Sequence, residues 1–306
     1  MAKNNNLHTA KKAKNDEFYT QLCDIENELK HYRQHFVGKV VYCNCDDARE
    51  SNFFKFFSLN FEFLGLKKLI STGYKENGKG VKLVYEGDKN GNKMPDFDEI
   101  EVTELEGNGD FRSPECIELL KESDIVVTNP PFSLFREYVA QLVEYGKQFL
   151  IIGNKNAITY KEIFSLIKEN KLWLGISSPN EYRLPNGEIT KQVNGLCRWF
   201  TNMEHDKRNM PFDLYMKYSN EYFPKYDNYD AIEVSKTCDI PMDFDGVMGV
   251  PITFLDKYCP NQFEIVDINP HFFSIVEKGL PKPKQLSLKS YGLKDPYARI
   301  LIRHKR

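Results

Sequence analysis

Short apolar runs alternate with amphipathic stretches through roughly the first 175 residues. VVYCN (40–44), LKKLISTGY (66–74), DIVVTN (124–129), QFLIIGN (148–154) and KLWLGIS (171–177) each read as a strand. Helical patterns fall between them. NFFKFFSLNF follows the polar turn CDDARES. SPECIELLK (113–121) opens with Ser113 as N-cap and Pro114 at the first helical position. In SLFREYVAQLVEY (133–145), Leu134, Phe135, Tyr138, Val139, Leu142 and Val143 share one face, and YKEIFSLIKEN (160–170) is a further helix. Strand-helix alternation of this kind predicts an α/β fold with a parallel sheet and helices on both faces.

One stretch breaks the rhythm. Residues 75–98 hold seven Gly and Asn turn formers around VKLVYE, which predicts a surface hairpin or loop insertion. After about residue 178 the alternation fades, prolines multiply and aromatics crowd 212–229. The expected organisation is therefore a domain over 1–177 carrying the insertion at 75–98. Residues 178–306 then hold the remaining strands, long loops and a basic tail.

The 306 residues, 41% hydrophobic and 28% charged, suffice for a sizeable core and exclude collagen-like, disordered and disulfide-scaffold classes. No apolar run reaches membrane-spanning length, and the N-terminus lacks the apolar stretch of a secretory signal. The seven dispersed cysteines read as reduced thiols in a cytoplasm. Net charge is −2, yet the ends are basic: Lys3, Lys11, Lys12 and Lys14 precede any acid, and 281–306 carries eight Lys and Arg against Asp295. Basic ends on a near-neutral body suit phosphate-backbone contacts, or serve solubility alone.

The strongest chemical signal is Asn129-Pro130-Pro131-Phe132, directly after the strand DIVVT. In open α/β sheets, ligands sit at the carboxyl ends of strands. The two prolines remove two N–H donors, so the backbone there offers carbonyl acceptors only. That suits an exocyclic amino group, a poor nucleophile because its lone pair is delocalised. The Asn129 side-chain oxygen can accept one of its hydrogens and the Pro130 carbonyl the other. Both bonds strengthen as positive charge develops on nitrogen, so they favour the transition state. Phe132 offers a flat face for a planar group.

Asn-Pro-Pro-Phe after an apolar strand resembles the catalytic motif of S-adenosylmethionine-dependent amino-methyltransferases. The resemblance extends through the chain: Asp16-Glu17-Phe18-Tyr19-Thr20-Gln21, VYCNCDD (41–47), residues 123–145, FLIIGN (149–154) and GVPITFLDKYCP (249–260) are similar to the EcoRI-type adenine-specific DNA methyltransferases. That resemblance implies a Rossmann-like methyltransferase sheet with a loop-rich C-terminal DNA-recognition region. It implies that Tyr19 and Thr20 lie near the methionine end of S-adenosylmethionine, with Asn44 and Asp46 in the first cofactor turn and Asp110 and Phe111 at the cofactor adenine. Asn129, Pro130, Pro131 and Phe132 would hold and stack on a flipped target adenine. It further implies methylation of N6 in double-stranded DNA, a GAATTC site, a cognate restriction endonuclease, a cytoplasmic monomer, and no metal. On the motif alone, other amino acceptors stay open: guanine N2 in RNA, cytosine N4, or a protein glutamine. A non-catalytic DNA-binding relative stays open too.

The chain departs from the glycine-rich turn common in methyltransferases. Here the turn is Cys43-Asn44-Cys45-Asp46-Asp47, and Glu76 is the nearest acid for the ribose hydroxyls. Cys43-x-Cys45 lacks the spacing and second ligand pair of a zinc site and reads as packing. Asp110, after Gly107 and Gly109, is compatible with a plain turn as well as with cofactor binding. The 212–229 aromatics suit core packing or base stacking.

Overall fold

A computed structural model of the protein describes residues 19–45, 47–179, 182–183, 189–190, 195–269 and 286–305. They form two compact units. One takes the described residues through Ala157 together with Leu174–Met203, and the other takes Ile158–Trp173 and those from Glu204 onward.

The first unit is built on an eight-stranded sheet, whose edge strand begins at Trp173, where the chain passes from one unit to the other. Its strands are β1 (Val40–Cys43), β2 (Lys68–Gly73), β3 (Val81–Tyr85), β4 (Ile100–Glu104), β5 (Ile125–Thr128), β6 (Gln148–Asn154), β7 (Trp173–Leu174) and β8 (Cys197–Thr201). Their order is β4-β3-β2-β1-β5-β6-β8-β7. β2, β1, β5 and β6 are parallel neighbours, and all four residues of both β1 and β5 are buried. Strands buried on both faces read as unbroken apolar runs, which is why VVYC and IVVT stand out in the sequence.

The sheet is not purely parallel, as the alternation predicts, but mixed. β3 pairs antiparallel with β2 and with β4, and β8 pairs antiparallel with β6. The connection from Gly73 to Val81 is too short for a parallel crossover, so the chain must double back. VKLVY is therefore no separate surface hairpin. It is a strand of the main sheet, with Leu83, Val84 and Tyr85 buried and Tyr85 edge-on to Phe61 at 5.0 Å. Turn formers on both sides disguise it in the sequence.

Among the described residues six α-helices belong to this unit: α1 (Leu22–Leu29), α2 (Arg33–Phe36), α3 (Asn52–Leu59), α4 (Phe61–Leu64), α5 (Pro114–Glu122) and α6 (Phe135–Glu144). The Ser51 hydroxyl caps α3 by accepting from the Phe53 N–H, and Ser113 caps α5 by accepting from Cys116, with Pro114 in its first turn. Phe53, Phe54, Phe56 and Phe57 of α3 are all buried; Phe57 meets Phe36 at 5.2 Å and Phe53 meets Trp199 at 6.2 Å, both edge to face. Each such ring contributes about 1.5–3 kcal/mol of apolar burial.

KLWLGIS yields only the two-residue β7, because a buried carboxylate diverts its backbone. Glu28 Oε1 accepts from the Ile176 N–H and the Tyr32 hydroxyl, both at 2.8 Å, and Oε2 accepts from the Ser177 N–H and hydroxyl, both at 2.6 Å. Gly175 is needed there, since an added Cβ would lie 2.6 Å from the Trp199 Cβ and against Glu28. This clasp fixes α1, and with it the strand Tyr19–Thr20, which pairs antiparallel with Tyr182–Arg183. The Thr20 carbonyl accepts from the Asn52 side-chain amide at 2.7 Å.

The second unit has a four-stranded sheet of β9 (Ala231–Glu233), β10 (Val247–Pro251), β11 (Phe263–Asn269) and β12 (Arg299–His304), in the order β9-β10-β12-β11. The helix α7 (Lys161–Lys168) buries Ile163, Phe164 and Ile167 and packs on β11. Within the basic C-terminal stretch, Arg299–His304 is an inner strand. Ile300, Leu301 and Ile302 are fully buried, and Arg299 grips the buried Glu233 carboxylate at 2.6 Å. Lys282, Lys284 and Arg306 lie outside the described residues. Of the 212–229 aromatics, Phe223 and Tyr226 are core, Phe212 stacks on Phe263 at 5.4 Å, and Tyr215 and Tyr222 are exposed. Among the described residues no helix is long and apolar enough to cross a membrane.

Candidate active site at the carboxyl ends of the parallel strands

Because β1, β2 and β5 run in one direction, the segments that follow them emerge on one edge of the sheet. They enclose a cavity of 440 Å³ with the segment that leads into α5. The loop after β5 supplies Asn129, Pro130, Pro131 and Phe132. The turn after β1 supplies Cys45, the segment after β2 supplies Tyr74 and Glu76, Gly109 to Arg112 line it too, and Ser133 and Leu134 continue the wall.

Asn129 and Pro130 are buried at the cavity wall, and Phe132 is half-buried against the main core. The loop is rigid for three reasons. Both prolines fix φ. The Pro131 carbonyl accepts from the Leu134 N–H at 3.0 Å, which closes a short 3-10 turn leading into α6. The strand beneath is locked to its neighbour: the Thr128 hydroxyl donates to the Asn44 carbonyl at the end of β1.

Asn44, expected at the cofactor, is placed differently. It is 2% exposed, and its side-chain oxygen accepts from the Tyr138 hydroxyl of α6. Burial pushes the Tyr138 hydroxyl well above the usual phenol range, so it stays a donor. Asn44 is a strut between strand and helix rather than part of the cavity wall. The next residue, Cys45, reaches the cavity instead, with φ +69°. Methyltransferases commonly place glycine in this turn. Here a cysteine adopts the left-handed conformation, at a cost of about 1–2 kcal/mol.

Asp110 and Phe111 line the same cavity. Gly109, at φ +81°, lays its backbone against the Gly73 carbonyl, so the chain at Asp110 sits beside the end of β2. Phe111 is buried edge-on to Tyr138 at 5.0 Å. The Asp110 carboxylate accepts from Arg112 Nε at 2.9 Å and Nη2 at 2.6 Å. That fork holds its carboxyl below the usual carboxylate range against the opposing effect of burial.

Thr20 is buried and does not line this cavity, and Asp46 and the Tyr19 side chain lie outside the described residues. Tyr74 and Arg112 were not legible as cavity residues. Tyr74 follows directly on a strand, and Arg112 looks like any surface arginine until its partner is known. Among the described residues no three His, Cys, Asp or Glu side chains come together to hold a metal ion.

The donor set fits an adenosine-bearing methyl donor beside a second planar group. Two carboxylates, Glu76 and Asp110, can accept from hydroxyls or an exocyclic amine, and aromatic faces at Phe111 and Phe132 flank the space. The volume falls in the range of small-molecule sites.

Residues 6–305 match the family model described as adenine-specific methyltransferase EcoRI. The chain is 52% identical to the type II methyltransferase M.EcoRI of Escherichia coli, over all of this chain and 98% of that one. It is 43% identical to M.MpnI of Mycoplasma pneumoniae, with 87% and 86% covered, and 39% identical to M.MgeORF184P of Mycoplasma genitalium, with 97% and 98% covered. The family model spans the strand ends, the Asn-Pro-Pro-Phe loop and both units alike, so the chain belongs to the EcoRI family of adenine-specific methyltransferases.

Proposed function

We propose that the protein methylates N6 of an adenine in double-stranded DNA, at GAATTC, as the protective half of a restriction-modification system. S-adenosylmethionine, when bound, supplies an electrophilic methyl group on a sulfonium. The observation that carries this reading is the shared cavity: the Asn129–Phe132 loop and the Asp110–Phe111 pair face one space at the carboxyl edge of the sheet.

A paired adenine cannot present N6 to that space, so the base must leave the stack. Phe132 receives its ring. The Asn129 side-chain oxygen and the Pro130 carbonyl accept the two N6 hydrogens, and both bonds strengthen as N6 becomes cationic. The nitrogen then releases a proton to solvent, and no strong base is required. Asp110 accepts from the exocyclic amine of the donor's adenine, Phe111 packs on that ring, and Glu76 accepts from ribose hydroxyls. The family resemblance assigns Tyr19 and Thr20 to the neighbourhood of the donor's methionine end, although Thr20 does not line this cavity, and Asp46 to the first cofactor turn. The partners are duplex DNA and a cytoplasmic endonuclease of the same specificity, and the enzyme acts as a monomer. The 52% identity to M.EcoRI over the full length supports the sequence choice.

The test is to incubate the protein with labelled S-adenosylmethionine and a plasmid, then map the modified positions. N6-methyladenine confined to GAATTC is expected. Label in cytosine, in RNA or in protein, or none at all, overturns the proposal.

A further inference from the structure

The segment Asp110–Arg112 is clamped from one side by α6. Glu137 and Gln141 stand one helical turn apart on that helix. The Gln141 side-chain amide donates to the Phe111 carbonyl at 3.2 Å, and both Glu137 oxygens accept from Arg112 Nη1 at 3.4 Å. Held this way, the Arg112 guanidinium lies 5.3 Å from the Phe111 ring centroid and turns its other edge to Asp110. Nε meets Oδ1 and Nη2 meets Oδ2, and the Arg112 backbone N–H donates to Oδ1 at 2.9 Å.

Fold stability does not account for this arrangement. The Arg112 side chain is 45% exposed and Asp110 26% exposed, and pairs with that access to water contribute about 0–1 kcal/mol. What the fork does fix is direction. A lone carboxylate at a cavity wall rotates, whereas a planar guanidinium holds both its oxygens in one plane.

We propose that Arg112 is a positioning residue: it orients the Asp110 carboxylate so that a lone pair faces the cavity and selects a purine bearing an exocyclic amino group over one bearing a carbonyl. This rests on the assignment of Asp110 to the methyl donor's adenine. Arg112 itself touches neither reacting group. Glu137 acts behind it as the anchor of its far edge.

The selection follows from electrostatics. An ionised carboxylate accepts from an amine and repels a carbonyl oxygen. A carboxylate that turns away loses both effects together. The charged or titratable groups around Asp110 are Arg112, Glu137 behind it, and Glu76, Cys45 and Tyr74 of the cavity wall. Of these, Arg112 is the cation in contact.

The experiment uses the full chain and two probes, S-adenosylhomocysteine and its inosine counterpart, with binding read by calorimetry. Wild-type protein is expected to prefer the adenosine compound by about tenfold to a hundredfold, the range for one hydrogen bond to a charged group. Arg112→Gln and Arg112→Lys are each expected to bring that preference close to one. In Arg112→Gln the acid loss of binding moves to higher pH, because the cation that depresses the Asp110 carboxyl is gone. In Arg112→Lys the charge remains and the acid limb moves less. If both variants weaken the two probes equally and keep the preference, Arg112 is merely structural and the proposal is overturned. Asp110→Asn separates the underlying assignment. Should that variant keep the wild-type preference, Asp110 does not face the donor's adenine, whatever Arg112 does. Thermal unfolding of each variant confirms that folded protein is being compared.

Discussion

Two asparagines end neighbouring parallel strands, and the protein uses them in opposite ways. Asn44 follows β1 and Asn129 ends the run of β5; both are buried, at 2% and 9% exposure. Asn44 directs its side-chain oxygen inward to the Tyr138 hydroxyl and its carbonyl to Thr128. Asn129 lies at the cavity wall, followed by two residues with no N–H to donate. The first ties strand to helix, and the second lines the cavity. Residue type and position at a strand end are alike, so the difference comes from what surrounds each: a helix tyrosine in one case, a solvent-connected cavity in the other.

The sharpest way to break this comparison is to shorten both side chains. Asn129→Ala is expected to lower single-turnover methyl transfer by about a hundredfold to a thousandfold, as for loss of one preorganised transition-state hydrogen bond. Its melting temperature and its affinity for S-adenosylhomocysteine should stay near wild type. Normal turnover by this variant would remove the loop from the chemistry.

Asn44→Ala should do the reverse. It leaves the Tyr138 hydroxyl buried without its acceptor, at a cost of about 1–3 kcal/mol in denaturant unfolding, while transfer per folded molecule changes little. A large loss of transfer without a loss of stability would return Asn44 to the cofactor site.

Phe132→Ala sharpens the contrast at the other end of the motif. Removing one stacking face is expected to weaken binding of DNA carrying an unpaired target adenine by about tenfold, within the range for one base on one ring. Binding of the methyl donor should not move. Equal weakening of donor and DNA would assign Phe132 to the donor.

The smallest effect concerns acidity. The Asp110 carboxyl is depressed by Arg112, so its contribution to stability is present above the ordinary carboxylate range and is lost as pH falls through its lowered value. Donor affinity should accordingly be level from neutral pH to about 4 and decline only below that. A decline centred near neutrality would mean that another group titrates.

How much of this was legible differs from element to element. VVYC, IVVT and FLIIGN declare themselves because strands buried on two faces read as near-continuous apolar runs. Ser113-Pro114 marks a helix start because cap chemistry is local. VKLVY hides its place in the main sheet, since its turn-rich flanks describe the connections and not the sheet it joins. KLWLGIS shrank to two residues because Glu28, far away in sequence, captures the N–H groups of Ile176 and Ser177. The basic C-terminal run likewise turned out to contain an inner strand, with Arg299 committed to Glu233.

By itself, the order of residues determined the alternating α/β core, the Asn-Pro-Pro-Phe loop at a strand end and the family, because all of these depend on near neighbours along the chain. Only the folded arrangement decided that Asn44 is a strut, that Cys45 takes the turn's left-handed place, and that Arg112 reaches back to Asp110. These depend on which distant groups share a small volume, and burial and hydrogen-bond geometry are properties of that volume rather than of any stretch of sequence.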